Sequence, residues 1–276
     1  MAAVTMAAVK ELRERLGAGM LDSKNALTEA DGDIEKAIEI LRLKGLKGVA
    51  KRGDREASEG LVAVKQSEGA ATMIEFVCET DFVAKNEKFI ALAERVLDAV
   101  VAANAANAEE ALAAPAEGKT VGEVITDESA IMGERIVLRK VSRVEAPATA
   151  VYLHRTSKDL PPQLGVVVGY EGDDAKTALS IAQHISFADP LYVTRDEVPA
   201  ADVEKEREIV TEISQNEGKP EAALPKIVEG RLNAFFKQVV LNEQVHALDD
   251  EKRDVKKVAE AAGITVTSFA RSKVGA

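Results

Sequence analysis

Residues 78–86 place an acid and a bulky aromatic side chain where the sequence passes from an apolar strand to an amphipathic helix. The preceding residues 71–78 are rich in β-branched and aromatic types, which is typical of a strand. After them, apolar residues recur at helical spacing from Phe89 onward. Between the two elements stand Asp81 and Phe82. Because loops carry function where a rigid scaffold positions them, this pair suits a projecting contact better than a catalytic centre.

Two interpretations of Phe82 follow from the local sequence. Phe82 lies seven positions before Phe89, so the two could share one buried helix face, and aromatic side chains are usually largely buried. Asp81 suits a helix N-terminus, where its charge meets the positive end of the helix dipole. Taken alone, the local sequence favours the core position. The alternative, an exposed contact residue, depends on evidence from the rest of the chain.

The residue types that catalysis or metal binding needs do not form a recognisable set. Gly118-Lys119-Thr120 resembles the end of a phosphate-binding loop, but Ala113 holds the place of the leading glycine and no strand precedes it. Carboxylates are plentiful, yet nothing singles out an acid/base pair. The histidines are far apart in sequence and lack metal-ligand spacing: His154, His184 and His246. We therefore expect no catalytic residue, no metal site, no cofactor and no covalent chemistry.

The composition is that of a folded, acidic protein. The chain has 276 residues, 46% of them apolar and 30% charged, which suits two or three folded units. The net charge of −11 argues against direct nucleic-acid binding, which needs a basic surface. The single Cys78 lies in an apolar strand, so we expect a buried side chain and a reducing compartment. No apolar run is long enough for a membrane span, and early charges argue against a targeting peptide. We expect a cytoplasmic protein without a membrane partner.

The first 43 residues predict three short helices. Thr5 can cap the first, which ends at Gly17, and the turn at residues 31–33 leads into the third. Three helices in so few residues suggest a ubiquitin-associated-like bundle, a fold used to bind proteins. The Gly- and Lys-rich residues 44–53 resemble a linker. We assign residues 1–55 to this bundle and its basic linker.

The remaining sequence shows a weak internal repeat of two strands and a helix, each followed later by a further helix and strand. The pattern predicts two α+β subdomains with small antiparallel sheets, over residues 56–146 and 147–276. Phe82 has no counterpart in the second subdomain, whose matching corner at residues 171–174 contains no aromatic residue. The shared architecture therefore does not require Phe82.

A helical hairpin at about residues 200–238 interrupts the second subdomain. Residues 218–220 form its turn, and the return helix places apolar residues at alternating four- and three-residue steps, the pattern of an antiparallel coiled coil. The seam we predict combines residues of both arms: Val203, Ile209, Val210 and Ile213 with Leu224, Val228, Leu232, Phe235 and Val239. The fold class is thus α+β: a three-helix bundle followed by two subdomains and this inserted hairpin.

Several motifs along the chain resemble the elongation factor Ts family. They are Val9-Lys10-Glu11-Leu12-Arg13, Gly17-Ala18-Gly19-Met20, Asn25-Ala26-Leu27, Thr80-Asp81-Phe82-Val83-Ala84-Lys85, Gly218-Lys219-Pro220 and Val228-Glu229-Gly230-Arg231. Leu21 departs from the pattern, because many relatives have methionine there. Some relatives also continue beyond the position of Ala276 into a C-terminal helical module, so we expect this chain to act without that contact.

The resemblance implies a guanine-nucleotide exchange factor for elongation factor Tu. Thr80, Asp81, Phe82 and Val83 are then expected to intrude beside the nucleotide and disturb the binding of Mg²⁺ and phosphate. Docking is expected from a separate group: Lys10, Arg13, Met20, Leu21 and His154. A homodimer is also compatible with the resemblance. The alternative is an adaptor without exchange activity, in which the helical bundle binds other proteins and Phe82 stays in the core.

Overall fold

The computed structural model of the chain describes residues 4–16 and 20–275, without the side chains of residues 13–16 and 46–51. The helices are α1 (Met6–Leu16), α2 (Met20–Glu29), α3 (Ile34–Lys51), α4 (Asp81–Ala84), α5 (Glu87–Ala102), α6 (Ala108–Ala113), α7 (Val121–Met132), α8 (Ala175–Ala188), α9 (Ala200–Asn216), α10 (Leu224–Val239) and α11 (Val255–Ala261). The strands are β1 (Glu59–Ser67), β2 (Ala70–Cys78), β3 (Pro115–Ala116), β4 (Lys119–Thr120), β5 (Val137–Glu145), β6 (Ala148–His154), β7 (Leu164–Glu171) and β8 (Thr265–Lys273). The predicted α+β class is confirmed.

The N-terminal helices α1, α2 and α3 pack around a small apolar cluster that includes Leu12, Leu27 and Ala37. Thr5 caps α1 as predicted, because its hydroxyl accepts the backbone N–H of Ala8 at 3.2 Å. Gly17, which is expected to end this helix, lies outside the described residues. Three helices in this segment agree with the prediction from the sequence.

The predicted linker at residues 44–53 is wrong, because α3 continues to Lys51. Gly45 lies against α7, where an added Cβ would come within 2.7 Å of the Ala130 Cβ. Arg42 on the same helix approaches Asp127 of α7 at 3.8 Å. A glycine that the sequence pattern assigns to a flexible linker is therefore used for close helix packing, which tertiary contacts stabilise despite the low helix propensity of glycine.

The first sheet has the strand order β1-β2-β5, with antiparallel neighbours. Every residue of the central strand β2 is buried. One face, with Ile74 and Phe76, packs on a cluster that α5 and α7 complete. The other face, with Met73 and Val77, meets Val167 of the second sheet. The two sheets therefore share an apolar layer, and β2 is held rigidly from both sides.

The second sheet has the order β6-β7-β8, again antiparallel, and α8 covers one face. Its strand, strand and helix order repeats that of the first sheet, as the sequence predicted. The predicted boundaries at residues 55 and 146 stay predictions. In the described part of the chain, no helix has both the length and the apolar character needed to cross a membrane.

The inserted hairpin consists of α9 and α10, joined through Gly218, whose φ is 69°. Its buried centre is formed by Val210, Val228 and Leu232. The predicted seam positions Ile209 and Ile213 are wrong, because both side chains are exposed on α9. Ser214, four residues after Val210, is buried in their place. Residues four apart lie on one helix face, so the face that carries Val210 and Ser214 meets α10 and turns the isoleucines outward.

Candidate functional site

The corner between β2 and α5 contains the one-turn helix α4, which presents the acid and aromatic pair. Thr80 precedes it with extended backbone (φ −128°, ψ 156°), and its hydroxyl accepts the N–H of Val83 at 3.4 Å. Asp81 is the first helical residue and pairs with Lys85 at 3.2 Å. The Lys85 ammonium also lies 4.5 Å from the centre of the Phe82 ring. The corner is thus a short, capped turn with an ordered charge pair beside its aromatic residue.

Phe82 is 72% exposed, so the interpretation of this residue as part of the core is wrong. Phe89 is fully buried and stacks on Phe76 with ring centres 5.1 Å apart. The seven-residue spacing fails because α4 and α5 are separate helices. Lys85 ends the first, and Asn86 begins the second by accepting the Lys88 N–H at 2.9 Å. This break in helical phase points Phe82 away from the face that Phe89 buries.

Two glutamates that the sequence did not single out hold this corner against the turn before β5. The Glu79 carboxylate accepts the backbone N–H of Arg135 at 2.7 Å. In return, the Glu134 carboxylate accepts the backbone N–H of Thr80 at 3.0 Å and its hydroxyl at 2.6 Å. Gly133, with φ of 79°, ends α7 immediately before this turn. The only sequence signal for the contact was the position of Glu134 between a helix-ending glycine and a strand.

Burial and hydrogen bonds shift the pKa values of two side chains at the corner. Burial raises the pKa of Glu79, but hydrogen bonds from the Arg135 amide and the Arg55 guanidinium outweigh that effect and lower it overall. Burial raises the pKa of the Cys78 thiol to about 12, so the thiol stays protonated at neutral pH. The thiol donates to the carbonyl of Thr80 at 3.2 Å. Cys78 is thus the buried side chain that the sequence predicted, without nucleophilic character.

The residues expected to dock a partner lie on three separate elements. Met20 and Leu21 begin α2, where they are 49% and 69% exposed. Lys10 is exposed on the neighbouring α1. The side chain of Arg13 lies outside the described residues. His154 is exposed at the end of β6, with its Nδ1 3.0 Å from the Tyr152 hydroxyl. The residues on α1 and α2 share one part of the fold, since these two helices pack on each other, whereas His154 lies on β6.

Two of the histidines meet in space although they are distant in sequence. The rings of His184 and His246 stack with centres 5.4 Å apart, and both residues are buried. His184 Nε2 lies 2.9 Å from the amide oxygen of Gln244, and its Nδ1 accepts the N–H of Ala247 at 3.3 Å. The described residues contain no group of three or more side chains suited to hold a metal ion. The pair is accounted for by stacking and hydrogen bonds.

Comparison with known proteins gives consistent matches. The family model described as elongation factor TS matches residues 79–276, which include the α4 corner and both glutamates. The chain is similar to proteins named elongation factor Ts from three bacteria. That of Clavibacter michiganensis subsp. michiganensis is 70% identical over 276 residues, and that of Leifsonia xyli subsp. xyli is 64% identical over 277, each covering 100% of both chains. That of Tropheryma whipplei is 52% identical over 272 residues, covering 99% of this chain and 98% of its own length.

Proposed function

This chain belongs to the elongation factor Ts family, and on that premise we propose that it binds elongation factor Tu with bound GDP and promotes exchange of GDP for GTP. Membership of the family makes the chain a translation elongation factor. The observation that carries the proposal is the exposed aromatic residue Phe82 on the short helix α4. A large apolar side chain held in water costs free energy that burial in a partner recovers.

In the proposed mechanism, Phe82 enters the nucleotide domain of the partner and separates the groups that hold Mg²⁺ and phosphate. Asp81 supplies a negative charge next to the ring. Thr80 and Val83 fix the turn, because the Thr80 hydroxyl accepts the Val83 N–H. The coupling is reciprocal. If the exchange factor lowers the affinity for GDP by a given factor, bound nucleotide lowers the affinity for the exchange factor equally.

We propose that this exchange proceeds without covalent chemistry by the chain itself. The carboxylates of Glu79 and Glu134 are engaged by backbone N–H groups, and Asp81 pairs with Lys85. Each of these contacts stabilises the corner, and we assign none of them to a catalytic acid/base pair. The activity therefore rests on the shape and position of the corner.

Docking is proposed to begin at the helices α1 and α2. Met20 and Leu21 form an exposed apolar contact, with the basic Lys10 and Arg13 as its border, an arrangement typical of protein interfaces. His154 is proposed as a further contact at the end of β6. Since these residues lie apart from the α4 corner in the sequence, binding strength and nucleotide release are expected to respond to different substitutions.

Three further proposals accompany this function. The chain is proposed to act in the cytoplasm and to consist of units at residues 1–55, 56–146 and 147–276. Self-association into a homodimer is a proposal that sedimentation at several protein concentrations would test. The alternative of an adaptor without exchange activity expects Phe82 in the core, and its 72% exposure does not favour that function.

The decisive experiment is the release of fluorescently labelled GDP from elongation factor Tu, followed with and without this protein in excess unlabelled GDP. We expect the protein to raise the release rate and to reach saturation as its concentration increases. Reciprocal coupling further requires that more free GDP raise the concentration of protein needed for half-maximal acceleration. A release rate independent of this protein at any concentration would refute the proposed function.

A further inference from the structure

We propose that Glu134, in the turn between α7 and β5, is the positioning residue that holds the corner between β2 and α5 in place. The inference rests on the proposed function, since it assigns to Glu134 the task of aiming Phe82. Glu134 itself does not need to touch the partner or its nucleotide. It acts through Thr80, whose backbone N–H and hydroxyl it holds at 3.0 and 2.6 Å.

The contact between Glu134 and Thr80 lies just beyond the end of the β2–β5 strand pair. The paired residues of β2 and β5 end at Val77 and Val137, so the backbone ladder is exhausted before the corner. Beyond that pair, Glu79 and Glu134 each accept a backbone N–H from the opposite segment. Two carboxylates thereby extend the connection between the segments past the last strand pair. Hydrogen bonds to a charged acceptor are stronger than neutral ones, so this extension resists fraying.

The helix α4 needs such external support. It has four residues, and a single helical turn is not stable on its own, because nucleation fixes several dihedral angles for one hydrogen bond. The Thr80 hydroxyl donates a hydrogen bond to the Glu134 carboxylate, and its oxygen keeps a lone pair that accepts the Val83 N–H. The carboxylate therefore sets the Thr80 rotamer, and that rotamer sets the first turn. Phe82 lies in this turn, so its direction depends on Glu134.

The chain contains a matched control at the other end of α7. Glu123 accepts the backbone N–H of Thr120 at 2.8 Å and its hydroxyl at 3.0 Å. The chemistry is the same as between Glu134 and Thr80, but it forms a capping box remote from Phe82 in sequence. Glu123→Ala therefore removes an equivalent carboxylate and threonine contact without affecting the corner. Any general consequence of losing such a contact appears in both variants.

The test compares Glu134→Ala, Glu134→Gln and Glu123→Ala in the full chain by the rate of labelled GDP release from elongation factor Tu. For Glu134→Ala we expect the maximal rate to fall about tenfold or more, the factor associated with one charged hydrogen bond, and the half-saturating concentration to change less than about twofold. Glu134→Gln, which keeps one carbonyl acceptor, should fall between this variant and the original protein. Glu123→Ala should match the original rate. Equal rates for Glu134→Ala and Glu123→Ala overturn the inference.

Two further measurements separate positioning from general structural damage. Combined with Phe82→Ala, the Glu134→Ala change should lower the maximal rate no further, because there is no ring left to aim. An additive loss overturns the inference. In the isolated protein, the Thr80 amide should exchange hydrogen at least about tenfold faster in Glu134→Ala, whereas amides in β2 keep their protection. Unchanged Thr80 exchange also overturns it. If the original protein does not accelerate GDP release, the proposed function fails, and this amide measurement still decides whether Glu134 holds the corner.

Discussion

Phe82→Ala tests the function of the corner, because its expected effects on stability and on exchange differ widely. Phe82 is 72% exposed, so only about a quarter of the 1.5–3 kcal/mol available from full burial of such a side chain contributes to folding. The contact with the Lys85 ammonium adds about 0.5–1 kcal/mol at an exposed site. The sum is about 1 kcal/mol, which corresponds to a fall in melting temperature of about 2–4 °C for a chain of this size.

The expected effect on exchange is larger. Truncation of an aromatic anchor that is buried in an interface typically costs about 2–4 kcal/mol. At about 1.4 kcal/mol per tenfold, the catalysed release of GDP should slow about thirtyfold or more. If the side chain acts only during displacement of the nucleotide, the loss appears in the maximal rate rather than in the half-saturating concentration. Melting temperature and stimulated GDP release are measured on the same sample.

Two control variants complete this test. Phe89→Ala removes a fully buried ring and should cost about 3–5 kcal/mol of folding free energy. Phe187→Ala removes another exposed ring, 61% accessible at the end of α8, and should leave exchange unchanged. A Phe82→Ala protein that melts like Phe89→Ala, or that accelerates GDP release as well as Phe187→Ala does, would refute the argument.

Three other predictions address docking, the hairpin and pH. Leu21→Asp should raise the half-saturating concentration in the GDP release assay about tenfold and leave the maximal rate unchanged, whereas Leu43→Asp, at another exposed leucine, should change neither. Replacing residues 204–232 by a short Gly/Ser link should leave a cooperatively melting protein with weaker partner binding, because this removes the whole apolar centre of the hairpin, which forms its own cluster. Loss of cooperative melting would show that the hairpin belongs to the main core. Burial lowers the pKa of His184 and of His246, so the unfolded chain binds protons at a higher pH than the folded protein. The histidine contribution to the free energy of unfolding should therefore be fully present well above pH 6.5 and decrease as the pH falls through 6.5. Urea denaturation between pH 7.5 and 5.5 with no such decrease would contradict this.

Elements with regular apolar spacing could be predicted from sequence, because the spacing of apolar residues within the element itself shows which side chains are buried. Helix α5 lies where the apolar spacing from Phe89 onward predicted a helix, since its buried side chains recur at helical steps. The predicted turn of the hairpin likewise contains Gly218 with a positive φ. Where local pattern and tertiary packing disagreed, packing decided. The Gly- and Lys-rich residues 44–53 resembled a linker, but Gly45 packs against Ala130 and belongs to a helix interface.

The candidate site was predictable only in part, for a related reason. The sequence indicated the motif around Phe82, but the local pattern also allowed a core position. The exposure of Phe82 depends on the break between α4 and α5 at Asn86. Glu134 could not be assigned from sequence, because its partner Thr80 lies 54 residues earlier in the chain. Such a contact carries no periodic signal. It becomes visible only when β2 and β5 are paired.

Comparison of the two sheet units explains why the α4 corner, with its exposed Phe82, lies in only one of them. In each unit, the corner after the central strand meets the turn that leads into the third strand. In the second unit this contact is direct: a Cβ on Gly172 would lie 2.5 Å from the carbonyl oxygen of Gly263. Asp174 then caps α8 at once, accepting the Thr177 N–H at 3.0 Å. The chain therefore passes from β7 into α8 without an intervening helical turn.

In the first unit, the carboxylates of Glu79 and Glu134 span the same junction. Side chains replace the close backbone contact, and the corner includes the additional turn α4 that exposes Phe82. The repeated fold supplies a sheet edge in both units, but the aromatic residue is presented at the edge whose connection runs through side chains. The activity that we propose therefore depends on the place where the two units differ, which is the additional helix α4 of the first unit. Transplanting residues 79–86 into the second unit without a counterpart of Glu134 should yield a disordered corner.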